Sequence, residues 1–359
     1  MTRPVAAHIN LVALRHNFQR VRQSAPHSRV LAVIKANGYG HGLARVAQAL
    51  DEADAFAVAR LDEALALRAQ GIAKPIVLLE GFTDREELAE IAQQGIETVV
   101  HHEFQVAALE QLRCEKPVFV WLKIDTGMHR LGIAPDDTGA IWRRLQACTA
   151  VAHPLRFMTH LANADMRADP RNDWQLQTFS NALSGFAGER SIANSAAILA
   201  LPPAHADWVR PGIMLYGVSP FSAGRAHAEN LKPVMTLTTQ LIAVNQQRKG
   251  DAIGYGGDWI CPEDMRVGVA AIGYGDGYPR HARSGTPVLV NGVRVPLIGR
   301  VSMDMITLDL RARPNTEIGT PVVLWGDGLP VEEIAECAGT IAYHLLCSSS
   351  QRVAYRYRD

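Results

Sequence analysis

The stretch VLAVIKANGYGHG, residues 30–42, opens with five consecutive apolar residues, Val30 to Ile34, and turns polar at Lys35. An apolar run without alternation suits a strand covered on both faces, as in a parallel sheet. Gly38, Gly40 and Gly42 follow and mark a loop. Lysine rarely ends a buried strand unless something pairs with it or uses it. The fold therefore has to explain a buried strand that delivers an amine.

The pattern recurs along the chain. Apolar runs fall at Ala55–Val58, Ile76–Leu79, Glu97–Val100, Val118–Ile124 and Leu155–Thr159, with weaker ones at Ser191–Ala193 and Asp207–Val209. Amphipathic segments lie between them, among them LDEALALRAQG (61–71), TDREELAEIAQQG (83–95) and PDDTGAIWRRLQA (135–147). In the second, Thr83 suits an N-cap, Glu86 stands three residues on as in a capping box, and Gly95 suits a stop. Eight strand–helix units predict an α/β fold, a (β/α)8 TIM barrel of roughly 200–250 residues. A doubly wound open sheet is the competing arrangement. Near Asn230 the texture changes. VMTLTTQLIAVN (234–245), MITLDL (305–310) and TPVVLWGDG (320–328) read as strands. TPVLVNGVRVPLIG (286–299) reads as a hairpin across Asn291-Gly292, a type I′ signal. The expected division is a barrel domain over residues 1–228 and a mostly β domain over residues 229–359.

Composition narrows the function. Of 359 residues, 48% are apolar, enough for a large core, and 36 basic residues balance 36 acidic ones. That balance gives no pull toward nucleic acid or anionic membrane. No apolar stretch is long enough for a transmembrane helix, and the N-terminus has no continuous apolar segment of a secretory signal. The five cysteines are scattered, with no CxxC pair. They suit free thiols in a reducing compartment, the cytoplasm, and no metal site.

On a TIM barrel, chemistry gathers at the C-terminal strand ends. Lys35 ends the first run, Lys123 the fifth with Asp125 and Arg130 just beyond, and His160 the sixth. Asn194 and Ser195 end the seventh, and Arg210, Gly212 and Ile213 the eighth. Singly, each has an ordinary explanation: a snorkelling lysine, a surface ion pair, a core histidine. Together they share one rim. Loops after the last two strands often bind phosphate, and Ser195 can open a helix whose N–H groups face an anion. A phosphate site opposite a lysine suggests a phosphorylated aldehyde cofactor held as a Schiff base, of which pyridoxal 5′-phosphate (PLP) is the common case. Other motifs fail. KIDTG (123–127) is a single Asp-Thr-Gly where an aspartic protease needs two carboxylates. HHEFQV (101–106) lacks the second histidine of HExxH, so His101 and His102 are expected in a solvated loop.

The rim motifs resemble the alanine racemase family, PLP enzymes of fold type III. The resemblance runs through AVIKANGYGHG (32–42), LKIDTGMHRLG (122–132), THLANAD (159–165) and VRPGIMLYG (209–217). It continues through AIGYGDGYPR (271–280), IGRVSMDM (298–305) and the closing region around Arg352 and Val353. Gly127-Met128-His129 resembles the catabolic or Gram-negative form. Asn10 departs from the aspartate of many relatives, and LLCSSSQRVAYRYRD (345–359) follows the family only loosely.

The resemblance implies specific roles. Lys35 holds PLP and is the base for D-alanine, and Tyr255, in IGYGG (253–257), is the base for L-alanine. Tyr39, Tyr343, Ser195, Gly212 and Ile213 reach the cofactor phosphate, and Arg210 its pyridine nitrogen. Arg130 contacts the phenolic oxygen and the substrate carboxylate, to which Met303 offers its backbone. Lys123 matches a position often carbamylated, which orients Arg130. His160 with Arg210 assists Tyr255, since a phenol is ordinarily protonated at neutral pH. Asn194 supports the cradle, and Tyr274, Arg280 and Asp304 line the entrance. The resemblance also implies a homodimer in which Tyr255 serves the other subunit's site. Interconversion of L- and D-alanine is the leading expectation, serving either peptidoglycan synthesis or alanine catabolism. A PLP decarboxylase, a non-catalytic PLP-binding protein and a broader racemase are the alternatives. Against the decarboxylase, Arg210 stands where such enzymes place a carboxylate.

Overall fold

The structure is a computed structural model that describes residues 5–222 and 224–359. The chain forms two compact units. The first strand, β1 (Ala6–Asn10), belongs to the second unit. The first unit, Arg15–Leu215 with Ser219–Gly224, is a closed parallel barrel. Its strands are β2 (Arg29–Val33), β3 (Ala55–Val58), β4 (Ile76–Leu78), β5 (Glu97–Val100), β6 (Val118–Lys123), β7 (Val151–Met158), β8 (Arg190–Asn194) and β9 (Trp208–Arg210). Arg29 opposite Trp208 and Val30 opposite Val209 close the ring. The (β/α)8 expectation holds and the open sheet is excluded. Every residue of β3, β4 and β5 is buried, which is why these strands read as unbroken apolar runs.

Alternation on two strands stacks the barrel interior in layers. Trp121 and Lys123 on β6, like Trp208 and Arg210 on β9, stand at alternate positions and face the same way. Trp121 and Trp208 meet edge to face, 5.7 Å between centroids, and Arg156 lies over both rings. The guanidinium also bridges Glu97 at 2.7 Å and Glu189 at 3.0 Å. Each carboxylate takes an indole N–H besides: Trp121 donates to Glu97 at 2.7 Å and Trp208 to Glu189 at 2.9 Å. This satisfied charge cluster plugs the barrel one layer below Lys123 and Arg210. Replacing Arg156 by Met removes the shared cation and leaves buried Glu97 without it. The expected result is a loss of about 3 kcal/mol in unfolding free energy, read by urea titration; an unchanged midpoint would contradict the assignment.

Helix boundaries follow local chemistry. Helix Arg85–Gln93 is capped by Asp84, not Thr83: the Asp84 side chain accepts the Glu87 N–H at 2.8 Å. Glu87 reaches back to the Thr83 N–H and hydroxyl at 2.7 and 2.9 Å, bonding the residue before the cap and not the cap's own N–H as the expected capping box would. Gly95 follows the helix with φ +60°. His101 and His102 connect β5 to the next helix, and His102 is exposed, as expected. It caps helix Glu103–Gln111, accepting the Phe104 N–H at 3.2 Å, while Gln105 accepts the N–H of His102.

The second unit is a β-rich body that includes residues 225–359. Its strands are β10 (Met235–Gln247), β11 (Ala252–Ile253), β12 (Trp259–Ile260), β13 (Met265–Ala270), β14 (Pro287–Val290), β15 (Val293–Ile298), β16 (Ile306–Asp309), β17 (Pro321–Trp325) and β18 (Ala354–Arg358). Eight of the strands form one sheet, ordered β13-β16-β15-β14-β17-β10-β1-β18, and a further β13–β10 pairing joins six of them in a circuit. The long strand β10 makes this possible by pairing β1, β17 and β13 along its length. The β14–β15 turn has Asn291 at φ +47° and Gly292 at φ +77°, the type I′ signature expected. The expectation of a barrel domain beginning at residue 1 needs correction at its start. β1 pairs antiparallel with β10 and parallel with β18, so the sheet is completed from both ends of the sequence. Among the described residues, no helix is long and apolar enough to cross a membrane.

Candidate active site

Lys35 stands two residues beyond β2, half-buried, on the C-terminal rim. The segment after it adopts one left-handed helical turn. Ala36, Asn37, Gly38 and Tyr39 have φ of +53°, +55°, +63° and +50°. A left-handed turn costs roughly 1–2 kcal/mol for each residue with a Cβ, so it persists only where its surroundings hold it. Here Gly38 N–H donates to Ile34 O at 2.8 Å, Gly42 N–H to Asn37 O at 2.9 Å, and the His41 ring binds Tyr39 O at 2.8 Å. Glycine alone accounts for only one of the four residues. The sequence shows the loop but not its hand.

His41 is fully buried, and burial brings it down from 6.5 to about 4, against the opposing bonds to the Tyr39 and Gly38 backbones. A histidine neutral in the fold but protonated when unfolded favours folding above its ordinary value. That contribution is lost as pH falls from 6.5 toward about 4 and amounts to about 3 kcal/mol. Thermal melts across this window should show the loss, and a His41→Gln variant should flatten the pH dependence. An equal acid slope in the variant would contradict the role given to His41.

Across the rim, β8 ends at Asn194, whose side chain caps the short helix Ser195–Ala200 by accepting the Ala197 N–H at 3.1 Å. Ser195 is buried, and its hydroxyl accepts the N–H of Gly212 at 2.9 Å and of Met214 at 3.4 Å, with Ile213 between them. A Cβ at Gly212 would lie 2.6 Å from the Tyr39 hydroxyl, so a larger residue there would displace the tyrosine. The Ser195 hydroxyl thus gathers two backbone N–H groups beside a tyrosine, a cluster of donors that an oxyanion could take over.

Arg210 is the floor. It is buried, and burial brings its guanidinium down to about 10, still protonated at neutral pH. Nη1 donates to Ser191 Oγ at 2.6 Å; Nη2 donates to Thr159 O at 2.5 Å, Ile192 O at 3.2 Å and His160 Nδ1 at 3.2 Å. Nε takes none of these bonds. Burial first, then the charges of Arg210, Lys123 and Arg130, push His160 well below its ordinary range, so it is neutral and accepts from Arg210. Lys123 is buried too, and burial with the charges of Arg210, Arg130 and Lys35 brings its amine down to about 8. Asp125 shapes the loop carrying Arg130, accepting the N–H groups of Gly127 and His129 at 3.0 Å each.

Sequence reasoning missed what joins these loops. Gln175, buried on helix Arg171–Ala182, donates to Thr126 Oγ1 at 3.1 Å and His160 O at 3.2 Å and accepts the Ala162 N–H at 2.9 Å. Thr126 and Thr159 share a hydroxyl bond of 2.8 Å. No motif signals Gln175, because its partners lie 13 to 49 positions away.

The remaining expected residues lie in the second unit. Tyr255 follows β11 on a short turn and is 68% exposed. Tyr274, Met303 and Tyr343 are exposed as well, Tyr343 on helix Ala342–Cys347. The Tyr274 and Met303 loops are paired: Tyr274 N–H donates to Ser302 O at 3.1 Å and Gly275 N–H to Met303 O at 2.9 Å. Among the described residues, no backbone carbonyl takes up the Met303 N–H. Arg280 lines a cavity with Arg283, Arg300 and Asp258.

A closed barrel with these groups on its C-terminal rim, followed by a β-rich unit, places the chain among the two-domain barrel racemases, a class of isomerase. Residues 9–220 match the family model described as the alanine racemase N-terminal domain, and residues 234–357 that of the C-terminal domain. The chain is 58% identical to an alanine racemase of Nitrosococcus oceani over 346 residues, 96% of this chain and 97% of that one. It is 52% identical to a biosynthetic alanine racemase of Escherichia coli K12 over 352 residues, 98% of each. A solved biosynthetic alanine racemase from Pseudomonas aeruginosa superposes with TM-score 0.97 at 44% identity, covering all of both chains. One from Acinetobacter baumannii superposes with TM-score 0.92 at 38% identity, covering 99% of this chain and all of the other. The chain belongs to the alanine racemase family.

Proposed function

We propose that this protein interconverts L- and D-alanine with PLP as cofactor, using Lys35 and Tyr255 as two bases. The observation that carries the reading is one rim that holds the Lys35 amine, the Ser195–Gly212–Met214 cradle and the Arg210 guanidinium. The rim fits PLP: the cradle, with Ile213, Tyr39 and Tyr343, would hold its phosphate, Lys35 its aldehyde carbon, and Arg210 its ring nitrogen. When bound, PLP delocalises the electron pair left by α-proton removal.

The chain's own groups do the rest. Arg210 keeps its proton, because guanidinium does not give one up in this range. Facing the ring nitrogen, Arg210 would have no proton to give it, which would disfavour decarboxylation and transamination. Arg130 and the Met303 N–H bind the substrate carboxylate, and Tyr274, Arg280 and Asp304 line the entrance. Lys35 takes or returns the α-proton on the D face through Nζ, and Tyr255 on the L face through its hydroxyl oxygen. In this reading His160, neutral and accepting from Arg210, would be the group that assists Tyr255. Lys123, with its amine near 8, has a reactive neutral fraction at neutral pH. As a carbamate it would turn a crowd of cations into a partner for Arg130.

Tyr255 is 68% exposed on one chain, and Met303, Tyr274 and Tyr343 are exposed with it. This supports a homodimer in which each subunit lends Tyr255 to the other's site. Free thiols at all five cysteines suit the cytoplasm. The biosynthetic relatives favour D-alanine supply for peptidoglycan.

Incubating the PLP-loaded enzyme with L-alanine should bring its circular dichroism to zero without change in total alanine. CO2 release would point to the decarboxylase, and an unchanged signal to a PLP-binding protein.

A further inference from the structure

The second unit contains an arginine that the reading above does not use. Arg352 leaves the C-terminal segment just before β18, and its side chain joins two loops. Its Nε lies 3.2 Å from Asp276 Oδ1, a carboxylate only 2% exposed, and its Nη2 donates to Asp304 Oδ1. Asp276 closes the Tyr274 loop by accepting the Gly273 N–H at 3.0 Å. Asp304 follows Met303 directly. The same loops are already paired by Gly275 N–H to Met303 O, so Arg352 clamps both carboxylates around that contact. The segment that presents it is itself fastened here. Ser350 N–H donates to Asp276 O at 3.2 Å, Ser350 Oγ accepts the Arg352 N–H at 3.2 Å, and Ser348 Oγ donates to Gly277 O at 2.8 Å.

We infer that Arg352 is the positioning residue for substrate carboxylate binding, holding the Met303 N–H in place by tying Asp304 to Asp276. The inference rests on the reading that Met303 receives that carboxylate. Turning the Ser302–Asp304 peptide misdirects one N–H donor while leaving Lys35 and the cradle untouched. The defect belongs in substrate affinity.

The test uses the full-length PLP-loaded enzyme with three variants: Arg352→Met, Arg352→Lys and Asp304→Asn. Alanine kinetics are measured in both directions, and propionate binding, a carboxylate without the reacting amine, by calorimetry. Arg352→Met should raise KM by about tenfold, lower kcat far less, weaken propionate in proportion and leave the cofactor absorbance near that of the parent, while its melting temperature falls because the buried Asp276 carboxylate loses its cation. Arg352→Lys, which can reach one carboxylate, should fall between. Asp304→Asn separates positioning from charge. Deleting a negative group near the mouth would by charge alone favour an anionic ligand, whereas loss of the clamp weakens it. A higher KM in both Arg352→Met and Asp304→Asn supports the inference. Unchanged KM and propionate affinity, or tighter binding in Asp304→Asn, overturns it. If Arg352→Met does not fold, the Asp304→Asn result decides alone. A parent enzyme that racemises alanine while the variants keep its KM sinks only this inference; a parent that does not racemise alanine sinks the function proposed above.

Discussion

Replacing Lys35 by alanine is expected to remove both the visible absorbance of bound PLP and the racemase activity. The proposed function gives the amine two tasks, anchoring the cofactor aldehyde and moving the D-face proton, and no other amine among the rim residues named above is placed for either. Lys123 is the nearest in kind, but it is buried at the end of β6 among Arg210, Arg130 and Lys35. Loss of a positioned base costs about 10²–10⁴ in rate, and loss of the anchor adds to it, so turnover should fall by at least about 10⁴. The cradle remains in the variant, so PLP should still bind through its phosphate, more weakly and without the visible band. A surviving band would show that Lys35 is not the anchor.

Replacing Tyr255 by phenylalanine removes one oxygen from an exposed side chain, so folding and the cofactor band should be unaffected. Racemisation should fall by about 10³. The loss is one-sided. Lys35 still reaches the α-proton of D-alanine, so D-alanine in D2O should exchange its α-proton for deuterium without inversion. L-alanine should exchange far more slowly. Equal kinetics in variant and parent would refute the two-base assignment. Slow exchange from both enantiomers alike would mean that Tyr255 acts on the site as a whole and not on one face.

The barrel is legible in the sequence because strands covered on both faces have nothing polar to hide. Ala55–Val58 and Ile76–Leu78 can be read by eye. The runs at Ser191–Ala193 and Asp207–Val209 are weak because β8 and β9 carry the polar residues Ser191, Asn194 and Arg210, which the proposed function puts to use. The strand β1 escapes a reading of the sequence because its partners come from distant parts of the chain. Ile9 pairs with Met235 and Asn10 with Arg358, and five residues carry no sign of that. The left-handed turn after Lys35 is hidden for a related reason: Ala36, Asn37 and Tyr39 are held there by contacts and not by their own preference. Most of the site can be read as residues on one rim. Gln175 and Arg352 cannot, since each acts through partners on other loops and the tail around Arg352 has little pattern of its own.

The central claim is that the proton leaves one face and returns to the other through two different groups. L-alanine in D2O tests it most directly, with the α-position of substrate and product followed by NMR at early conversion. Two bases predict D-alanine that carries deuterium almost completely, because the group that delivers the proton is not the one that removed it. D-alanine that retains the original protium would mean a single base working on both faces, and would contradict the account.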